Sequence, residues 1–293
     1  MEVKLNSKRL IDIPFSKIID KGINAIKSRI HLPELLWGEL NPLYETALVL
    51  DLFHYLGYAP EMDWSVETSE GSKKVSINSI VENMKAIVTT AEVIEMDYKQ
   101  FYILYVLSLY DPTILDNRTQ EVANFYQEIQ EQTEWDFIKQ LNEFTPNLRH
   151  ATTPLHLSMC YVADQIGNIP LLNKLASLFT TSIDIIIKRG YARFSASQTG
   201  KTPIEMFARL ILALHDIRRP TPRRQQFIKA VSNTQYLEGS WAGNIGTTGY
   251  VVQALLPNET ADSILLKKAA VYLCAIQDRQ GLWGGNIEDC LLY

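Results

Sequence analysis

The chain of 293 residues is 46% hydrophobic and 21% charged, which is an ordinary globular composition with enough apolar material to bury a full core. Its 28 Lys and Arg against 33 Asp and Glu give a net charge of −5, which excludes a whole-chain attraction to nucleic acid or anionic membrane. Three scattered cysteines (Cys160, Cys274, Cys290) form no disulfide framework or CxxC zinc site, and no apolar run approaches the ~18 residues of a membrane span.

The N-terminal MEVKLNSKRLIDIPF lacks the apolar stretch of a secretory signal, so the expected location is the cytoplasm. From there the periodicity predicts helix after helix, over 8–29, 42–57, 76–93, 97–110, 118–144, 153–166, 170–189, 203–218, 223–235, 247–256 and 261–277, with another beginning near Glu288. Almost nothing alternates as a half-buried strand would, so the expected class is all-α. Breakers stand between the runs, among them Pro60, Pro112, Gly167, Pro220 and Pro257, and no long linker divides residues 1–293, which are expected to form one domain.

The helices also alternate in character. Those beginning near 42, 97, 153, 203 and 247 are apolar nearly all round, as in LYETALVLDLF and FYILYVLSL, while the others keep a polar face. Alternating buried and half-buried helices describe a double ring, an inner barrel wrapped by an outer one.

An internal repeat supports this. Gln235-Tyr-Leu-Glu-Gly239-Ser-Trp241-Ala-Gly243-Asn244-Ile245 returns from Gln277 onward as Gln277-Asp-Arg-Gln-Gly281-Leu-Trp283-Gly-Gly285-Asn286-Ile287, and a partial copy, Leu36-Trp37-Gly38-Glu39-Leu40-Asn41, stands near the start. Each unit follows an amphipathic helix and leads into a new one. Glycine suits a left-handed helix C-cap, the Gln amide suits the exposed backbone of the turn, and the Trp ring covers the corner.

Q-x-x-x-G-x-W after an outer helix resembles the QW motif of terpene cyclases. The chain is similar to the α/α-toroid superfamily of squalene-hopene cyclases, class II cyclase domains and protein prenyltransferase β subunits. This resemblance implies an (α/α)6 toroid whose pocket opens at the N-terminal ends of the inner helices, and an isoprenoid or other hydrophobic small molecule as substrate. The family's Asp-x-Asp-Asp and Asp-Asp-x-x-Asp strings are absent, and Asp289-Cys290 with His156 imitates a prenyltransferase zinc set only loosely. No cofactor and no metal are therefore expected.

If the ring closes, polar residues at the starts of the inner helices encircle one mouth: Glu45, Gln100, Thr153, His156, Glu205, Thr247, Thr248, Glu288 and Asp289. Glu205 and His156 are the expected acid/base pair, with Glu45 and Asp289 in support, because a carboxylic acid in an apolar pocket has its charged form disfavoured and serves as a proton donor. Helix caps and a core histidine are the competing roles for these residues. Tyr102, Tyr105, Phe207, Thr248 and Tyr250 are the expected substrate-binding residues, with Tyr110 and Tyr161 also on inner helices, unless these rings simply fill the barrel. The run Arg218-Arg219-Pro220-Thr221-Pro222-Arg223-Arg224 reads as a solvated turn at the opposite end. The expected partner is a hydrophobic small molecule, with no nucleic acid and no transmembrane segment; a non-catalytic toroid that binds such a ligand or a protein partner is the alternative.

Overall fold

The structure is a computed structural model that describes residues 15–32, 34–38, 41–69, 71–90, 98–116, 154–189, 203–219, 223–256 and 263–283. Within these it is mostly helical, with ten α-helices: α1 (Phe15–Lys27), α2 (Pro42–Tyr55), α3 (Ile77–Thr90), α4 (Tyr98–Tyr110), α5 (Pro154–Gln165), α6 (Ile169–Arg189), α7 (Pro203–Asp216), α8 (Arg224–Thr234), α9 (Ile245–Leu255) and α10 (Ile264–Ile276). A short 3-10 turn, Pro112–Leu115, follows α4. The helices expected over 118–144 and from Glu288 lie outside the described residues. No helix among the described residues is long and apolar enough to cross a membrane.

One expectation is corrected. The chain is not wholly helical: β1 (Asp63–Thr68) and β2 (Gly71–Ser76) form an antiparallel hairpin. Its period-2 signal is only three residues deep. Trp64 faces Val75 across the pair, Val66 and Val75 are buried, and the remaining positions are Asp, Ser, Glu, Thr, Gly and Lys. The hairpin is held from outside the sheet, since Trp64 stacks on Trp37 at 6.2 Å and its indole donates to the Lys27 carbonyl at 3.3 Å. The Lys27 ammonium in turn lies over Tyr58 (4.8 Å) and Trp64 (5.5 Å).

Burial follows the alternation read from the sequence. Helix α2 buries every residue from Tyr44 to Leu50, and α4 and α7 are buried on several faces, whereas α10 buries only Leu266 and Ala269. The buried helices are neighbours of one another, α2 with α4, α4 with α5, α5 with α7 and α7 with α9. The others lie against them: α3 on α4, α6 across α5 and α7, α8 on α7, and α10 on α9.

The repeat is one device used three times. The Trp241 indole donates to the Val231 carbonyl in the last turn of α8 (2.8 Å), Trp283 donates to Leu273 in α10 (2.7 Å), and Trp37 donates to Ile26 in α1 (2.8 Å). Backbone N–H groups of Trp241 and Trp37 donate to Thr248 (3.0 Å) and Thr46 (2.8 Å) in the first turns of α9 and α2, so each ring ties the end of one helix to the start of the next. The Gln amides close the turns, Gln235 donating to the Gly239 carbonyl at 3.0 Å and Gln277 to that of Gly281 at 2.8 Å.

Each corner also reaches a further helix. Gly239 (φ +105°) lies so close to the α10 backbone that a Cβ would overlap the Lys268 carbonyl, and Gln235 donates to Leu265 at 2.9 Å. At the first corner, Asn83 of α3 donates to the Glu34 carbonyl at 2.6 Å. At the last one, Gly281 (φ +98°) would place a Cβ 2.8 Å from the Lys21 carbonyl of α1, and Lys21 donates to the Asp278 carbonyl at 2.9 Å. Thus the last described corner packs on the first described helix as the corner before it packs on α10.

Trp241 is fully buried, so Trp241→Ala should cost about 3–5 kcal/mol of unfolding free energy. Trp241→Phe keeps most of the ring but removes one of the two donors to the Val231 carbonyl, which retains the Gln235 N–H at 3.1 Å, and should cost about 0.5–1.5 kcal/mol. Urea unfolding followed by circular dichroism measures both, and a Trp241→Phe variant as stable as wild type would mean that the indole N–H contributes nothing.

Candidate functional site

The polar groups that converge do so away from the helix starts. Helical spacing puts Tyr44 and Asp51, two turns apart, on one face of α2, and Tyr102 and Tyr105, one turn apart, on one face of α4. Helix α5 contributes Cys160, Tyr161 and Asp164, and α7 contributes its last residue, Asp216. The Tyr102 hydroxyl donates to Asp51 Oδ2 at 2.5 Å, and the Tyr161 hydroxyl donates to Asp216 Oδ2 at 3.2 Å. Between these pairs the rings form a continuous row: Tyr44 to Tyr102 at 5.5 Å, Tyr102 to Tyr105 at 6.1 Å, and Tyr105 stacked on Tyr161 at 4.7 Å.

Burial sets the chemistry of this row. Asp216 is still reached by water, yet enough protein surrounds it that desolvation, with a smaller push from the negative charge of Asp51 and against the Tyr161 hydrogen bond, raises its carboxyl to about 6. Asp51 is raised too, by desolvation first, while the Tyr102 hydroxyl and nearby His54 pull it down. The phenols of Tyr102, Tyr105 and Tyr161 are all pushed up by desolvation and by these carboxyls, which keeps them protonated donors. Desolvation takes the Cys160 thiol to about 12, so it is no nucleophile near neutral pH.

The residues singled out from the sequence fall into three groups. Tyr102 and Tyr105 belong to the row. Glu45, Glu205, Thr248, Tyr250 and Phe207 are engaged in the frame. Glu45 accepts from the Asn41 N–H at 3.0 Å and sits over Gly38 (φ +88°), where any Cβ would overlap its carboxylate, while the Asn41 side chain caps α2 by accepting from Tyr44. Glu205 is buried, paired with Arg209 at 2.8 Å, and accepts from the Thr247 hydroxyl at 3.0 Å; the Arg209 guanidinium lies 3.9 Å over Tyr250. Thr248 accepts from Trp241, and Phe207 packs edge-on to Phe227 of α8 at 5.0 Å. In the third group, Asp289 and the His156 side chain lie outside the described residues.

Sequence reasoning missed Asp51 and Asp216. Asp51 carried a signal, as the one charge beyond the first turn in LYETALVLDLF, a helix otherwise apolar nearly all round. Asp216 carried little, because an acid at a helix end beside Arg218 and Arg219 looks like a turn residue. Among the described residues, no group of three or more His, Cys, Asp or Glu is placed to hold a metal ion. No family model matches the chain, and no curated protein sequence matches it either.

Both carboxyls are raised in proton affinity and each is held by a phenol, and Asp216, at about 6, is suited to proton exchange near neutral pH. Asp216 also makes the fold sensitive to pH in a defined direction. Its folded-state value of about 6 lies above the ordinary 3.8, so the folded chain holds the proton more tightly than the unfolded one. The stabilisation by this proton is complete below about pH 4 and is lost as pH rises through about 6. Asp216→Asn should therefore raise the melting temperature relative to wild type more at about pH 7.5 than at about pH 4. Differential scanning fluorimetry at the two pH values checks this, and an equal shift at both would remove the desolvated assignment.

Proposed function

We propose that the chain is an enzyme on an (α/α)6 toroid, similar to terpene cyclases and prenyltransferases, acting on an isoprenoid or other hydrophobic small molecule by acid/base chemistry in a central cavity. The ring is supported by the three tryptophan corners and by the packing of the last described corner on α1. The observation that carries the chemistry is the pairing of Asp51 with Tyr102 and of Asp216 with Tyr161 at the two ends of one aromatic row.

In this reading Asp216 is the proton donor and Asp51 the acceptor. The phenols orient the carboxyls, and the ring faces border the substrate's apolar body while stabilising positive charge that develops on it. Glu205, the acid expected from the sequence, is reassigned to the frame, because Arg209 and Thr247 already engage its carboxylate. The alternative, a toroid that binds a hydrophobic ligand or protein partner without turnover, draws support from the same engagement of Glu45 and Glu205 in structural contacts.

The test offers isoprenoid diphosphates and neutral polyprenyl compounds and measures products. Asp216→Asn should lower turnover by about 10²–10⁴-fold while the protein stays folded. Glu205→Gln should lower the melting temperature, with activity falling only as the folded fraction falls. A fully active Asp216→Asn ends the acid assignment, and wild-type binding without turnover leaves the non-catalytic reading in its place.

A further inference from the structure

The charge balance of the aromatic row points to a property of its ligand. Resting on the reading of this row as the binding site, we propose that it receives an organic monocation with an apolar envelope, a quaternary or protonated tertiary ammonium, rather than a wholly neutral hydrophobic molecule. Among the described residues neither Asp51 nor Asp216 forms an ion pair, and the hydrogen-bond donor at each is a neutral phenol that engages Oδ2 alone. A carboxylate held this way keeps its charge uncompensated in surroundings that desolvate it, which is costly until a cation arrives.

The rings between the carboxyls add to the same field. Tyr44, Tyr102, Tyr105 and Tyr161 follow one another at 4.7 to 6.1 Å, and aromatic faces attract cations that hold their water weakly. Among the described residues the cations near the row form no ion pair with either carboxyl. Lys99 lies 5.2 Å from the Tyr44 ring, His54 acts on Asp51 only through space from an exposed position, and Arg219 acts on the Cys160 thiol.

An ammonium buried among alkyl groups matches each part. Its charge answers the carboxyls, its weakly hydrated surface answers the ring faces, and where it bears one N–H, that donor has a free Oδ1 to reach. A compact primary ammonium, strongly hydrated and with three donors, finds too few acceptors here.

The probes are benzyltrimethylammonium and its neutral isostere neopentylbenzene, which differ in charge and hardly in shape. Calorimetry or tyrosine fluorescence on the full chain should show the cation binding about tenfold or more tightly than the isostere in wild type. The preference should vanish in the Asp51→Asn, Asp216→Asn double variant, which stays folded by circular dichroism and still binds the isostere. Equal binding of the two probes by wild type overturns the inference, as does binding of neither, or a preference that survives in the double variant. These outcomes separate from the enzyme reading. Turnover of neutral polyprenyl compounds without preference for the cation sinks the inference alone, and preference for the cation without turnover of any isoprenoid sinks the enzyme alone.

Discussion

The hydrogen bond from a tryptophan indole to a carbonyl in the last turn of the preceding helix is the contact on which the rest of the fold depends. A carbonyl oxygen has two lone pairs, so one in the last turns of a helix can accept a donor from outside beside its backbone partner. Trp37, Trp241 and Trp283 are such donors to Ile26, Val231 and Leu273, the first two of which also accept the Arg29 and Gln235 N–H groups, and the two fully buried rings also carry the chain into the next helix through Thr46 and Thr248. The glycines beside these rings let the corner approach a neighbouring helix backbone more closely than any side chain would permit. The device therefore sets not only the angle within one helix pair but the spacing to the following pair.

That demand explains where the acids of the helix starts went. The positive end of a helix dipole and its free N–H groups attract carboxylates, and in a corner fold these starts are also where neighbouring elements meet. Glu45 closes a cap over Gly38, and Glu205 joins Arg209, Thr247 and Tyr250 in one network. The carboxyls with raised proton affinity sit instead in the C-terminal half of α2 and on the last residue of α7, where no free N–H groups stabilise the charge and, at Asp216, the dipole opposes it. Charge at the starts holds the frame, and charge nearer the ends is disfavoured by the protein packed around it.

The sequence made the local devices legible and left the convergent ones hidden. The Gln-Gly-Trp corner lies within about a dozen residues, so its spacing is visible and its hydrogen bonds follow from it. The alternation of buried and half-buried helices shows for the same reason, since one helix displays its own period. The hairpin escaped because two short strands rich in Ser, Glu and Lys have hardly any apolar period, and their place is fixed by contacts with Trp37 and Lys27 far upstream. The aromatic row escaped more completely. It draws on α2, α4, α5 and α7, and no spacing along the chain tells that Tyr102 meets Asp51 or that Tyr161 meets Asp216.

Tyrosine rather than phenylalanine along the row is the remaining clue. If those rings only filled a barrel, phenylalanine would do so without the cost of burying hydroxyls, which must find partners once withdrawn from water. Here two hydroxyls find carboxylates, and Tyr110 reaches the Leu50 carbonyl at 2.6 Å, one residue before Asp51. Each phenol binds the charged form of its acid and so opposes the desolvation that raises it. A purely apolar wall would hold a hydrophobic body equally well. A wall of phenols also donates to two carboxyls, which phenylalanine could not do.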